Sequence, residues 1–110
     1  MIELVDTQRR WSEIWKVHTS RVHPPPPLPN IDFSIEAVFV AALGDRPSGG
    51  YLVSLAATHE DFLKFQVIEI RPGDGCAVFL EITQPVAFAV LSAPTGYAEI
   101  ATEVRREPCN

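Results

Sequence analysis

The sequence predicts a small, mainly β domain: a β-sandwich or open barrel of six to seven strands, carrying one N-terminal amphipathic helix. Three observations point there. Apolar runs of strand length recur from residue 37 onward, turns rich in Gly and Pro separate them, and helical periodicity is confined to a stretch before residue 19. The 110 residues suit one domain, with a helix and a proline-rich crossing over 1–30 and a β core over 31–110. Apolar residues at 46% and charged residues at 21% are ordinary globular usage.

Taken in order, Ile2–Val5 reads as a short strand, and Asp6 or Thr7 as the N-cap of a helix beginning near Gln8. Trp11, Ile14, Trp15 and His18 fall at i, i+3, i+4 and i+7, one stripe that should dock both tryptophans in the core. Pro24, Pro25, Pro26, Pro27 and Pro29 have no amide donors to offer, so residues 19–30 form a stiff extended spacer. Residues 37–43 and 51–57 are the next two strands. Gly44-Asp45-Arg46-Pro47-Ser48-Gly49-Gly50 between them reads as a long hairpin connection, in which Pro47 sets a corner and Gly49 and Gly50 permit positive φ or close backbone approach.

Phe62–Ile70 alternates at Leu63, Phe65 and Val67, then changes phase at Ile68 and Ile70, which predicts a bulge near Val67 or Ile68. Arg71–Gly75 is a turn, Cys76–Ile82 a strand, and Thr83-Gln84-Pro85 an interruption. Val86–Leu91 and Tyr97–Val104 are the last strands, with a turn over 93–96 between them.

Several functional classes are disfavoured. A net charge of -5 offers no electrostatic attraction to DNA or RNA, so nucleic acid is not an expected partner. No run is long and apolar enough to span a membrane, and Met1–Asp6 lacks the basic and apolar regions of a signal peptide. The compartment is left open between the cytoplasm and export after removal of a leader. His18, His23 and His59 are dispersed, and no metal or cofactor is expected. Known catalytic motifs are missing, so the reading is a binding module and not an enzyme. Glu60, Asp61, Glu69 and Glu81 are read as a solvated polar face. Cys76 and Cys109 match no metal or redox motif. Two free thiols are the default, while export would allow a bridge closing a loop of about 34 residues and stabilising by about 3 to 4 kcal/mol.

Leu28–Phe33, Leu43–Tyr51, Pro72–Val78 and Ile82–Pro85, in this order and spacing, together resemble the PrcB C-terminal domain family of protease-complex subunits. The resemblance covers about residues 5 to 92, and its most specific part is the Gly-x-Arg-Pro-x-Gly-Gly-Tyr loop. Ser48 stands where threonine is frequent in the family, and Val86 where an aromatic is. The resemblance implies a non-catalytic, extracytoplasmic domain associated with a secreted serine protease. The partner-binding residues are then Arg46, Pro47, Ser48, Gly49, Gly50 and Tyr51 with Gln84 and Pro85. As a recognition anchor Arg46 would be dispensable for stability.

Arg46–Tyr51 is also similar in plan to a loop of chagasin-like peptidase inhibitors, with Arg71–Gly75 as a possible second loop. Direct inhibition of a peptidase is the alternative function.

Overall fold

The computed structural model describes residues 1–59, 63–92 and 98–109. Among these residues six strands form two sheets of three, with order β1-β2-β5 in the first and β3-β4-β6 in the second. Their bounds are β1 Ile2–Val5, β2 Glu36–Ala42, β3 Leu52–His59, β4 Leu63–Pro72, β5 Val86–Ser92 and β6 Ala98–Glu107, and one helix, α1, spans Gln8–His18. The domain is mainly β and is not a closed barrel. Among the described residues no helix is long and apolar enough to cross a membrane. Phe62, the turn over 93–96 and Tyr97 lie outside the described residues.

α1 begins where Thr7, in extended conformation, accepts a hydrogen bond on its side chain from the Arg10 amide. Trp11 and Ile14 are buried against Val5, Ile31, Val38 and Val40. Trp15, expected in the core, is only half-buried. The rings of Trp11, Trp15 and His18 surround Phe88 at centroid distances of 5.4, 5.9 and 5.1 Å. Both indoles also act as donors to the proline segment, Trp11 Nε1 to the Pro29 carbonyl and Trp15 Nε1 to the Pro26 carbonyl, each at 3.1 Å. The extended spacer is thereby pinned along the helix. Proline carbonyls suit this role, because the run has no regular secondary structure to consume them.

β2 explains its own composition. It lies between β1 and β5, and every residue from Ala37 to Ala41 is buried. Val38 and Val40 face the helix layer, while Phe39 and Ala41 face the second sheet. A strand covered on both faces reads as a continuous apolar run instead of an alternation. The Phe39 and Phe65 rings stack between the sheets at 3.9 Å, so the domain has three layers: helix, first sheet, second sheet.

Four expectations need correction. The connection between β2 and β3 is not a hairpin, because the two strands belong to different sheets; β2 has its hydrogen-bonding edges occupied by β1 and β5 and leaves none for β3. No bulge interrupts β4, whose antiparallel register with β3 runs without a break from Leu63↔His59 to Ile70↔Leu52. Arg71 and Pro72 extend β4 instead of starting a turn, because β6 pairs with it in parallel as far as Pro72↔Glu107. Beyond Ile70 the strand has no β3 partner, so a proline without an amide donor is tolerated there. Finally, residues 76–82 form no strand.

Burial ranks the two tryptophans. Trp11, 2% exposed, should destabilise the fold by about 3 to 5 kcal/mol when changed to Ala. Trp15→Ala should cost clearly less, and chemical denaturation of the two variants side by side measures the order.

Candidate functional site

The segments expected to bind a partner meet at the end of β2. Leu43 donates its amide to the Pro85 carbonyl at 3.0 Å. Arg46 and Thr83 then form an antiparallel bridge, with N–H···O distances of 2.8 and 2.9 Å. Thr83 Oγ1 donates to the Ser48 carbonyl at 2.8 Å, Gln84 Nε2 to Asp45 Oδ1 at 2.7 Å, and the Gly49 amide to the Phe79 carbonyl at 3.0 Å. Residues 43–49 are thus zipped to residues 79–85, and the chain passes from one sheet to the other at this point.

Two glycines answer different constraints. A Cβ on Gly49 would lie 2.3 Å from the Phe79 ring and would push that exposed ring aside. Gly50 has φ +88, where a side chain is strained, and a Cβ would crowd Pro72 and Val78 at 3.1 Å. Ser48 is buried and its hydroxyl donates to the Gly49 carbonyl at 2.9 Å. Pro47 is exposed, and Tyr51 and Pro85 are half-buried.

Glu69 holds the loop from below. It is 5% exposed and sits on the inward face of β4 with Phe65 and Val67, so its placement on a solvated polar face is corrected. The alternation of β4 never changes phase; a carboxylate occupies an inward position. Arg46 donates from Nε (3.0 Å) and Nη2 to Oε1, while Arg71 Nε donates to Oε2. Arg46 Nη1 turns to the carbonyls of Leu43 (2.7 Å) and Asp45 (3.0 Å). Arg46 is therefore committed inward as the brace of the loop, which revises its expected dispensability for stability. Burial pushes the Glu69 carboxyl up, but the hydrogen bonds and charges of Arg46 and Arg71 outweigh it and hold the group below the usual glutamate range. Among the described residues every buried side-chain nitrogen and oxygen has a partner. Glu81 is exposed, and Glu60 and Asp61 lie outside the described residues.

The segment opposite the loop carries apolar side chains outward. Leu80 is 91% exposed, and Phe79 and Ile82 are also exposed. Its strand-like composition predicted a place in a sheet, but among the described residues the Arg46–Thr83 bridge is its only β pairing. Cys76 is bonded to Cys109 with a Cα–Cα distance of 4.8 Å, so the default of two free thiols does not hold. The bridge ties the start of this segment to the end of β6. A groove of about 580 Å³ between α1 and the first sheet, lined by Ile14, Val17, Val40, Val86 and Phe88, ends at Gly44 and Gln84, beside the same loop. Among the described residues, no three His, Cys, Asp or Glu side chains gather closely enough to hold a metal ion.

Composition alone makes residues 76–82 look like a strand, and nothing local marks Glu69 as buried. The one available signal for Glu69 was its position, two residues beyond Val67 in an alternating run.

No family model matches this chain, and neither a curated protein nor a solved structure matches it.

Arg46→Ala should lower stability by about 3 kcal/mol, the scale of a buried ion pair deprived of one partner. Arg46→Lys should recover only part of this, because an ammonium cannot reproduce the fork. Equilibrium unfolding of the two variants decides. The Glu69 carboxyl, lowered on folding, stabilises fully above the ordinary glutamate pKa, and that contribution is lost as pH falls through the lowered value. The melting temperature should therefore drop on acidification below about pH 4.3, and Glu69→Gln should flatten that part of the profile.

Proposed function

We propose that this domain is a non-catalytic binding module that attaches to a peptidase through the face made by residues 46–51 and 79–85. The observation that carries the binding reading is the run of exposed Phe79, Leu80 and Ile82 on a segment held at both ends, by the Cys76–Cys109 bridge and by the Arg46–Thr83 pairing. A soluble surface rarely presents such a run without use for it. A segment already held in place loses little ordering entropy when it docks. Pro47, Tyr51, Gln84 and Pro85 flank the run as contacts, whereas Arg46, Ser48, Gly49 and Gly50 shape the loop from within.

The peptidase as partner comes from the resemblance of the Gly44–Tyr51 loop and its neighbours to the PrcB C-terminal domain family. A disulfide fits a domain working in an oxidising compartment, where a secreted protease would be met. One observation favours direct inhibition as the second reading. The 46–51 loop lies beside the end of β4, where the 73–75 turn begins, with Gly50 backed against Pro72, so two loops are presented together as a cleft-filling inhibitor requires.

The test is a titration against a secreted serine peptidase recovered on the immobilised domain, with melting curves run in parallel. Leu80→Asp should weaken association at least tenfold, the scale of an interface anchor, and leave the melting temperature unchanged. Equal affinity of Leu80→Asp and wild type would remove this face as the binding site. Peptidase activity that falls in step with occupancy would select inhibition over attachment.

A further inference from the structure

β6 closes the second sheet on one side without being closed itself. It has ten residues, pairs among the described residues with β4 alone, and keeps an unbroken register from Ala98↔Leu63 to Glu107↔Pro72. Free edges of this length are normally blunted by proline, a bulge or charges of one sign, because their unpaired N–H and C=O groups template another strand. β6 contains no proline between 98 and 107, and its charges, Glu99, Glu103, Arg105, Arg106 and Glu107, are of both signs, so they can pair across a seam as well as repel.

Its side chains also lack cover. Ile100, Thr102 and Val104 stand opposite Phe65, Val67 and Glu69 and so share the inward face of the sheet. Phe65, Val67 and Glu69 are buried, but Ile100 is 47% and Val104 57% exposed. The apolar inner face continues past the edge of the first sheet and ends uncovered. On the other side, the two sheets meet where β3 comes close to β5, and Val53, Leu55, Ala89 and Leu91 all pack against the shared core of Phe39, Ala41, Phe65 and Val67. The uncovered strip is therefore specific to β6.

We infer that β6 is the seam of a homodimer, in which two copies pair antiparallel about a two-fold axis through Thr102 and join their sheets edge to edge. An axis perpendicular to the sheet keeps both inner faces on the same side, so the uncovered strips become continuous. The charges select the register. With Thr102 opposite itself, Ile100 faces Val104 of the second copy, and Glu99 faces Arg105, each contact occurring twice. Moving the axis one residue toward the C-terminus, so that Glu103 is opposite itself, sets Glu99 against Glu107. Moving it one residue the other way, so that Ala101 is opposite itself, sets Glu99 against Glu103. Both are penalised by like charges directly across the pair. An axis through Val104 joins Glu103 to Arg105 but sends Ile100 to Pro108, beyond the strand, and forfeits the apolar pairs. Arg105 is within 3.0 Å of Glu103 in its own strand, which holds the guanidinium on the face that carries Glu99.

Sedimentation of the full chain should give twice the 12.2 kDa chain mass. Val104→Lys, at an exposed position, should yield monomers with an unchanged circular dichroism spectrum. Glu99→Arg should raise the dimer dissociation constant at least tenfold, and Glu99→Arg combined with Arg105→Glu should restore it. Directly opposed Cβ atoms across such a pair lie about 5 Å apart, so Thr102→Cys should cross-link two chains under mild oxidation, whereas Val104→Cys should not. A single-chain mass at millimolar concentration, or a dimer undiminished by Val104→Lys, would overturn the seam. Cross-linking through Val104→Cys in place of Thr102→Cys would overturn the register.

Discussion

The fold depends on β2 being covered on both faces. Five consecutive residues, Ala37 to Ala41, are buried in a strand that already has a hydrogen-bonded neighbour on each edge. Such a strand stabilises a domain only if two separate layers shield it. The helix supplies one through Trp11 and Ile14, and the second sheet supplies the other through Phe65 and Val67. With both edges of β2 taken by β1 and β5, β3 must start a different sheet, and the connection at Gly44–Tyr51 becomes a crossing between layers.

That crossing is where polarity enters the interior. Glu69 replaces an apolar residue on the inward side of β4, and an unpaired carboxylate there would be prohibitive. Arg46 and Arg71 neutralise it from two directions. The same guanidinium of Arg46 satisfies two loop carbonyls, so charge burial and loop shape are one arrangement. The rigid loop in turn sets the height at which Phe79 passes over Gly49. The exposed apolar segment is thus positioned by an ion cluster beneath the loop.

The outer surfaces divide accordingly. The loop face, held by hydrogen bonds and a disulfide, suits recognition by side chains. The β6 edge presents main-chain groups and a strip of uncovered apolar side chains, and suits recognition by strand pairing. The two lie at different places in the fold and draw on different physics, directional packing of anchors in one case and sheet extension in the other.

Local chemistry in the sequence determined the helix, its Thr7 cap and apolar stripe, the positions of most strands, and a loop shaped by Gly49 and Gly50. Each of these depends on neighbours within a few residues, and periodicity, capping and turn propensity report such neighbours directly. Tertiary structure decided the rest. That β2 and β3 do not pair, that β4 runs on through Pro72 beside β6, and that residues 76–82 leave the sheets depend on partners tens of residues away. Glu69 shows the same limit at a single position. A glutamate between apolar residues reads as solvated until Arg46, remote in sequence, is brought against it, because desolvation and its compensation are properties of the assembled site and not of the strand.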